Sequence, residues 1–104
     1  MTTQLQIAQT IAQQIGGRRL MALGAKNRLA LSESADKRGG LQFTASLFGR
    51  RSCRVIVELT HSDTYRVLVL KPRAYVVIAK LDDVYCEDLG NLVEFQVEKH
   101  FSGH

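Results

Sequence analysis

Several runs of side chains hold the residue types that chemistry uses. His61, Ser62 and Asp63 are consecutive and carry the types of a hydrolytic triad. A triad works by convergence in space, with the base on the nucleophile's proton and the acid orienting the base. Adjacent side chains in a turn point apart, so this run reads as a turn in which Asp63 bonds backbone amides. His100 and His104 are four apart, a spacing that can grip a metal on one helix face. They sit at a fraying terminus with Gly103 between them and no third ligand nearby. Favourable placement of His100 at a helix C-terminus is a sufficient account, and no metal is expected. Cys86 would open a helix, where a thiol pKa falls. Its place on an apolar stripe among acidic neighbours argues against a nucleophile. Asp82, Asp83, Glu87 and Asp88 read as charge favoured by a helix N-terminus rather than as a Mg²⁺ site. Gly16-Gly17 and Gly24-Ala25-Lys26-Asn27 have the composition of a phosphate-cradling loop. Such a loop needs Lys-Ser/Thr opening a helix, whereas here a strand is expected after Lys26 and no Ser or Thr follows it. No catalytic residue, metal or cofactor is expected, and the chain does not read as an enzyme.

The basic residues are the most informative set. Arg50, Arg51, Arg54 and Arg66, with Lys26, Arg28, Lys71 and Arg73, fall in turns and on one strand face. Arg18, Arg19, Lys37 and Arg38 add to them, and Arg50-Arg51 with Arg54 is the densest group. Such a set can follow a phosphate backbone. Arginine outnumbers lysine nine to five, which suits two-pronged contacts to phosphate or carboxylate. Stacking platforms are few: Phe43, Phe48, Tyr65 and Tyr75, with Phe43 expected inside.

The elements that position these side chains follow from periodicity. Residues 3–15 place Leu5, Ala8, Ile11, Ala12 and Ile15 at helical spacing, and Gly16-Gly17 should stop the helix. Its polar face is all amide and hydroxyl, which suits a face covered by the sheet or by another chain. Residues 18–23 and 28–32 are expected to form a hairpin about Gly24 to Asn27. Residues 33–40 are polar, end in two glycines, and read as a mobile loop. Residues 41–47, 53–59 and 65–70 alternate apolar and polar side chains, the period of half-buried strands. Their short connections favour antiparallel neighbours. Pro72 breaks the pattern, residues 74–81 resume as a last strand, and a helix over 83–101 follows, capped by Asp82 or Asp83. Gly90 weakens its middle, and a close approach to the sheet would explain it. The expected fold class is α+β: an antiparallel sheet of five or six strands, with an N-terminal and a C-terminal helix packed on one face.

The chain has 104 residues, one domain's worth, and residues 1–104 read as a single domain. Hydrophobic residues at 45 % and charged residues at 23 % are close to the globular average, which argues against disorder. No apolar run approaches the roughly 20 residues of a membrane span, and residues 1–14 lack the pattern of a signal peptide. A cytoplasmic setting follows, with Cys53 and Cys86 as reduced core residues. Charge is uneven. Residues 1–81 hold 13 of the 14 Lys and Arg against four of the ten acids, a net of +9, and residues 82–104 hold one Lys against six acids, a net of −5. Cations are therefore expected on the sheet and carboxylates along the last helix.

Three stretches carry a resemblance. Ile15-Gly16-Gly17-Arg18 runs into Leu23-Gly24-Ala25-Lys26-Asn27, Asp63-Thr64-Tyr65 opens a strand, and Asp83 to Leu89 opens the last helix. Their order and spacing resemble short uncharacterised proteins of tailed phages and integrated mobile elements. Those proteins usually have Thr where Leu23 stands here. The resemblance implies a setting inside a bacterial cell and assigns no functional residue.

Three binding functions fit these readings. The first is contact with nucleic acid, or with a nucleic-acid-handling complex, through a basic sheet face. The second is inhibition of a host defence system by protein–protein binding, in the manner of an anti-CRISPR. The third is self-assembly, with a homodimer formed through the helix over 3–15 or between basic body and acidic helix.

Overall fold

The first helix, α1 (Gln4–Ile15), buries Ile7, Ala8, Ile11 and Ile15 along one stripe. Gly16, at φ 100°, ends it. The chain is described here from a computed structural model that covers residues 4–47, 51–71 and 76–102.

Residues 18–23 depart from the expected hairpin. They belong to a second short helix, α2 (Gly17–Ala22), in place of a strand. Arg, Leu, Met and Ala are all good helix formers, and the segment lacks strand alternation. Leu20 and Leu23, three apart, are both 1 % exposed, so a single helical turn buries both. Its end is closed by paired bonds, Ala25 N–H to Leu20 O at 2.9 Å and Gly24 N–H to Met21 O at 3.0 Å. This closure needs a left-handed residue, which Gly24 supplies at φ 63°. A Cβ on Gly24 would run into the Ser46 carbonyl oxygen.

Five strands follow: β1 (Lys26–Leu31), β2 (Gly39–Leu47), β3 (Arg51–Leu59), β4 (Tyr65–Leu70) and β5 (Val77–Val84). They form one sheet in the order β1-β2-β3-β4-β5, each pair antiparallel. The last helix is α3 (Cys86–Ser102). The α+β class with a five-stranded antiparallel sheet between two terminal helices is thus the fold.

The expected mobile loop is a pinned turn. Ser34 and Lys37 form a bridge, and the Arg38 N–H donates to Leu59 O at 2.7 Å. The last strand runs later than expected, so Asp82 and Asp83 lie in β5 and cap nothing. The helix opens at Cys86, with the Asp88 N–H on Tyr85 O at 3.0 Å, and Glu87 and Asp88 occupy its positive first turn.

One face of the sheet is the core. Leu41, Phe43, Ala45, Cys53, Val55, Val57, Val67 and Val69 alternate inward and pack with the α1 stripe and with Leu89, Val93 and Val97 of α3. Gly90 lets α3 approach closely, but it meets the end of α1 and not the sheet. A Cβ there would lie 3.0 Å from Ile15 O. Arg19 seals this junction, with Nη1 donating to Ile15 O at 3.0 Å, Nη2 to Asn91 Oδ1 at 2.9 Å and Nε to Glu94 Oε2 at 3.1 Å. Cys53 is buried, and burial pushes its thiol up to about 11. Cys86 is exposed, off the stripe expected to carry it.

Candidate binding surface on the open sheet

The face of the sheet turned away from the helices is exposed at its edges, at Leu29 and Val77, and half-buried in the middle, with Leu70 only 4 % exposed, and register fixes what it carries. Leu29, Gln42, Ile56, Leu68 and Lys80 lie side by side across all five strands. On one side of this row lie Lys26, Thr44, Arg54, Leu70 and Val77. On the other lie Leu31, Gly40, Glu58 and Arg66. The middle row is mainly apolar, and the two flanking rows differ in charge.

At the Arg66 side, the charges are organised. Arg66 Nη1 lies 3.2 Å from Glu58 Oε1 and 3.7 Å from Asp36 Oδ2, and its Nε donates to Asp82 Oδ1 at 3.1 Å. The Asp82 bond, then Glu58, raise the affinity of the guanidinium for its proton. Lys37 Nζ sits 3.3 Å from Glu58 Oε2, so Glu58, 7 % exposed and the one buried acid among the described residues, is held from both sides. Arg38 pairs with Asp63 at 2.5 Å. Asp63 therefore serves an ion pair, while the backbone amide of the turn at Ser62 is met by the Thr60 hydroxyl at 3.3 Å. Ser34 donates its hydroxyl to the Asp36 carboxylate, which lowers the pKa of that group.

At the Arg54 side the starts of β1, β3 and β5 meet the ends of β2 and β4. Lys26, Arg28 and Lys71 are exposed there, and Arg54 is half-buried. Among the described residues of the strands and their connections, every acid (Glu33, Asp36, Glu58, Asp63, Asp82 and Asp83) lies at or beyond the Arg66 side. Charge is therefore separated along the strands. This redraws the expected division between a basic sheet and an acidic helix, because six acids belong to the sheet and its turns.

The expected cation strip is brought together in part. Lys26, Arg28, Arg54 and Lys71 share one end of the sheet, and Arg51 opens β3 there opposite Leu47. Arg66 lies on the same face but at the other end, inside a carboxylate cluster. Arg50, Arg73 and the Arg51 side chain lie outside the described residues. The ion network and the apolar row are the features that periodicity alone did not reveal. The two-residue alternation of Arg54, Ile56 and Glu58, and of Arg66, Leu68 and Leu70, is the signal that could have found the row.

The chemistry-bearing runs stay apart. His61 Nε2 lies 3.3 Å from Ser34 O on an exposed turn. Among the described residues no three His, Cys, Asp or Glu side chains gather as metal ligands. A shallow groove of about 370 Å³ beside Gly16 is lined by Arg18, Arg19 and Glu94, and its Arg19 and Glu94 pair with each other. No helix among the described residues is long and apolar enough to cross a membrane. Comparison with protein-family models, with curated proteins and with solved structures gave no match.

Proposed function

We propose that the protein is a non-enzymatic binding module that engages nucleic acid, or a nucleic-acid-handling complex, through the basic end of its sheet. The observation that carries this reading is the separation of charge along the strands. Lys26, Arg28, Arg54 and Lys71 gather at one end, and the acids of the strands and turns lie away from them. A phosphate backbone is drawn to such an end and releases counterions on contact. The resemblance to short phage and mobile-element proteins supports an accessory role inside a bacterial cell.

The test is retention of DNA and RNA at low and then moderate salt. Four phosphate contacts give a slope of about −3 to −4 in log affinity against log salt. Replacing Lys71 with Ala should weaken binding uniformly across sequences and reduce that slope by about 1. Absence of retention at low salt ends the reading.

A second reading is inhibition of a host defence complex by protein–protein contact. It is favoured by the other end of the sheet, where Asp36, Asp63 and Asp82 alternate with Lys37, Arg38 and Arg66. A two-signed surface suits a protein partner bearing the inverse pattern. A pulldown from bacterial lysate that returns only background counts against it.

A further inference from the structure

We infer that the open face of the sheet is covered by a second copy of this chain, packed face to face with its strands reversed. Leu29 is 55 % exposed and Val77 50 %, and the half-buried Ile56 and Leu68 lie between them in the middle of the face. A row in which Leu29, Ile56 and Leu68 are apolar, interrupted by Gln42 and ended by Lys80, is a surface that association can cover. The two flanking rows then choose the occupant and its orientation.

Two arrangements bring the face against itself. With the two-fold axis parallel to the strands, the Arg54 end of one copy lies on the Arg54 end of the other, and like charges meet. With the axis along the row of Leu29, Ile56 and Leu68, the Arg54 end of each copy lies over the two-signed end of its partner, where Glu33, Asp36, Glu58, Asp63, Asp82 and Asp83 outnumber Lys37, Arg38 and Arg66. The second arrangement is self-complementary in charge and stacks apolar row on apolar row, as a contact of this symmetry requires. Lys80 ends the row near its own symmetry mate and keeps Asp82 3.9 Å away as a counter-charge.

The face sets the strength. Five strands at about 4.8 Å spacing and about six residues at 3.3 Å give roughly 20 by 20 Å. That is below the roughly 800 Å² per partner of a standard interface, so the dimer forms in a concentration-dependent way. This inference shares Lys26 and Arg54 with the nucleic-acid reading. Arg54 faces the partner copy in the dimer, and phosphate contact then falls mainly to Arg28 and Lys71.

Sedimentation equilibrium of the full chain over a range of concentrations should show a monomer–dimer equilibrium. Arg54→Glu should weaken it on the order of fivefold, because an attraction becomes a repulsion. Orientation is read by Leu29→Cys in a Cys86→Ser background, treated with a short bismaleimide. Cys53 is buried and does not compete. In the proposed dimer the two introduced thiols face each other and crosslink. With the axis parallel to the strands, β1 lies over β5 of the partner, about 19 Å to the side, and they do not. A chain that stays monomeric at high concentration, or a dimer that Leu29→Cys does not crosslink, overturns the inference. Lys71→Ala should lower nucleic-acid retention and leave the dimer unchanged, which separates failure of one proposal from failure of the other.

Discussion

The two faces of the sheet are built from the same strands and do opposite work. On the inner face Phe43, Val55, Val57, Val67 and Val69 are all 1 % exposed or less and meet side chains from both terminal helices. On the outer face Ile56 and Leu68, one residue along, are only half-buried, and their neighbours are Arg54, Glu58 and Arg66. Alternation sends successive side chains to opposite sides. A one-residue slip would exchange the two faces. The contrast teaches that the inner face fixes the fold while the outer face is left to carry charge and contact.

Substitutions can break or sharpen this contrast. The largest effect is expected inside: Phe43→Ala should cost about 3 to 5 kcal/mol, read from the midpoint of urea unfolding, through lost transfer energy and the cavity left behind. A loss below 1 kcal/mol would mean that the inner face is loosely packed. Next comes Glu58→Ala, at about 2 kcal/mol by the same measurement. Removing this acid leaves Lys37 without its 3.3 Å partner, while Arg66 keeps Asp82. Ile56→Ala on the open face should cost only about 1 kcal/mol when measured at concentrations too low for association. Equal losses at Phe43 and Ile56 would erase the distinction between the faces.

The smallest effect is at Asp36, whose pKa is held below its ordinary 3.8 mainly by the Ser34 hydroxyl. A carboxylate with a lowered folded pKa stabilises the protein above its unfolded pKa. That contribution is lost as pH falls through the folded value. Asp36→Asn should therefore leave neutral-pH stability almost unchanged and slightly flatten the loss of thermal stability below pH 3.8. An unaltered acid limb would show that the Ser34 contact contributes nothing in solution.

Much of the fold was legible in the chain. The alternation over 41–47, 53–59 and 65–70, with short connections, led to β2, β3 and β4 as antiparallel neighbours. The apolar stripe ending at Gly16-Gly17 led to α1. The misses have a common cause. Residues 18–23 carry no strand alternation, and the glycines around them suit a hairpin turn as well as a helix end. Gly24 has the left-handed backbone expected of it, but it closes α2. In the same way Asp82 and Asp83 have the composition of a cap, and pairing with β4 draws β5 through them instead. The loop over 33–40 looked mobile because its composition is polar, and its anchors on Leu59, Glu58 and Asp63 are more than 20 residues away in sequence.

The chain by itself determined the number and kind of the main elements, because hydrophobic periodicity is local and each element must bury its apolar side. It also determined the excess of cations over acids. Which charges neutralise one another was decided only by the tertiary structure. Arg66 is eight residues from Glu58, 16 from Asp82 and 30 from Asp36, and antiparallel register brings all three to it. Arg54 stands on the same face four residues before Glu58, and the same register sets it at the other end. Coulomb energy depends on separation in space, and that separation is fixed by strand pairing.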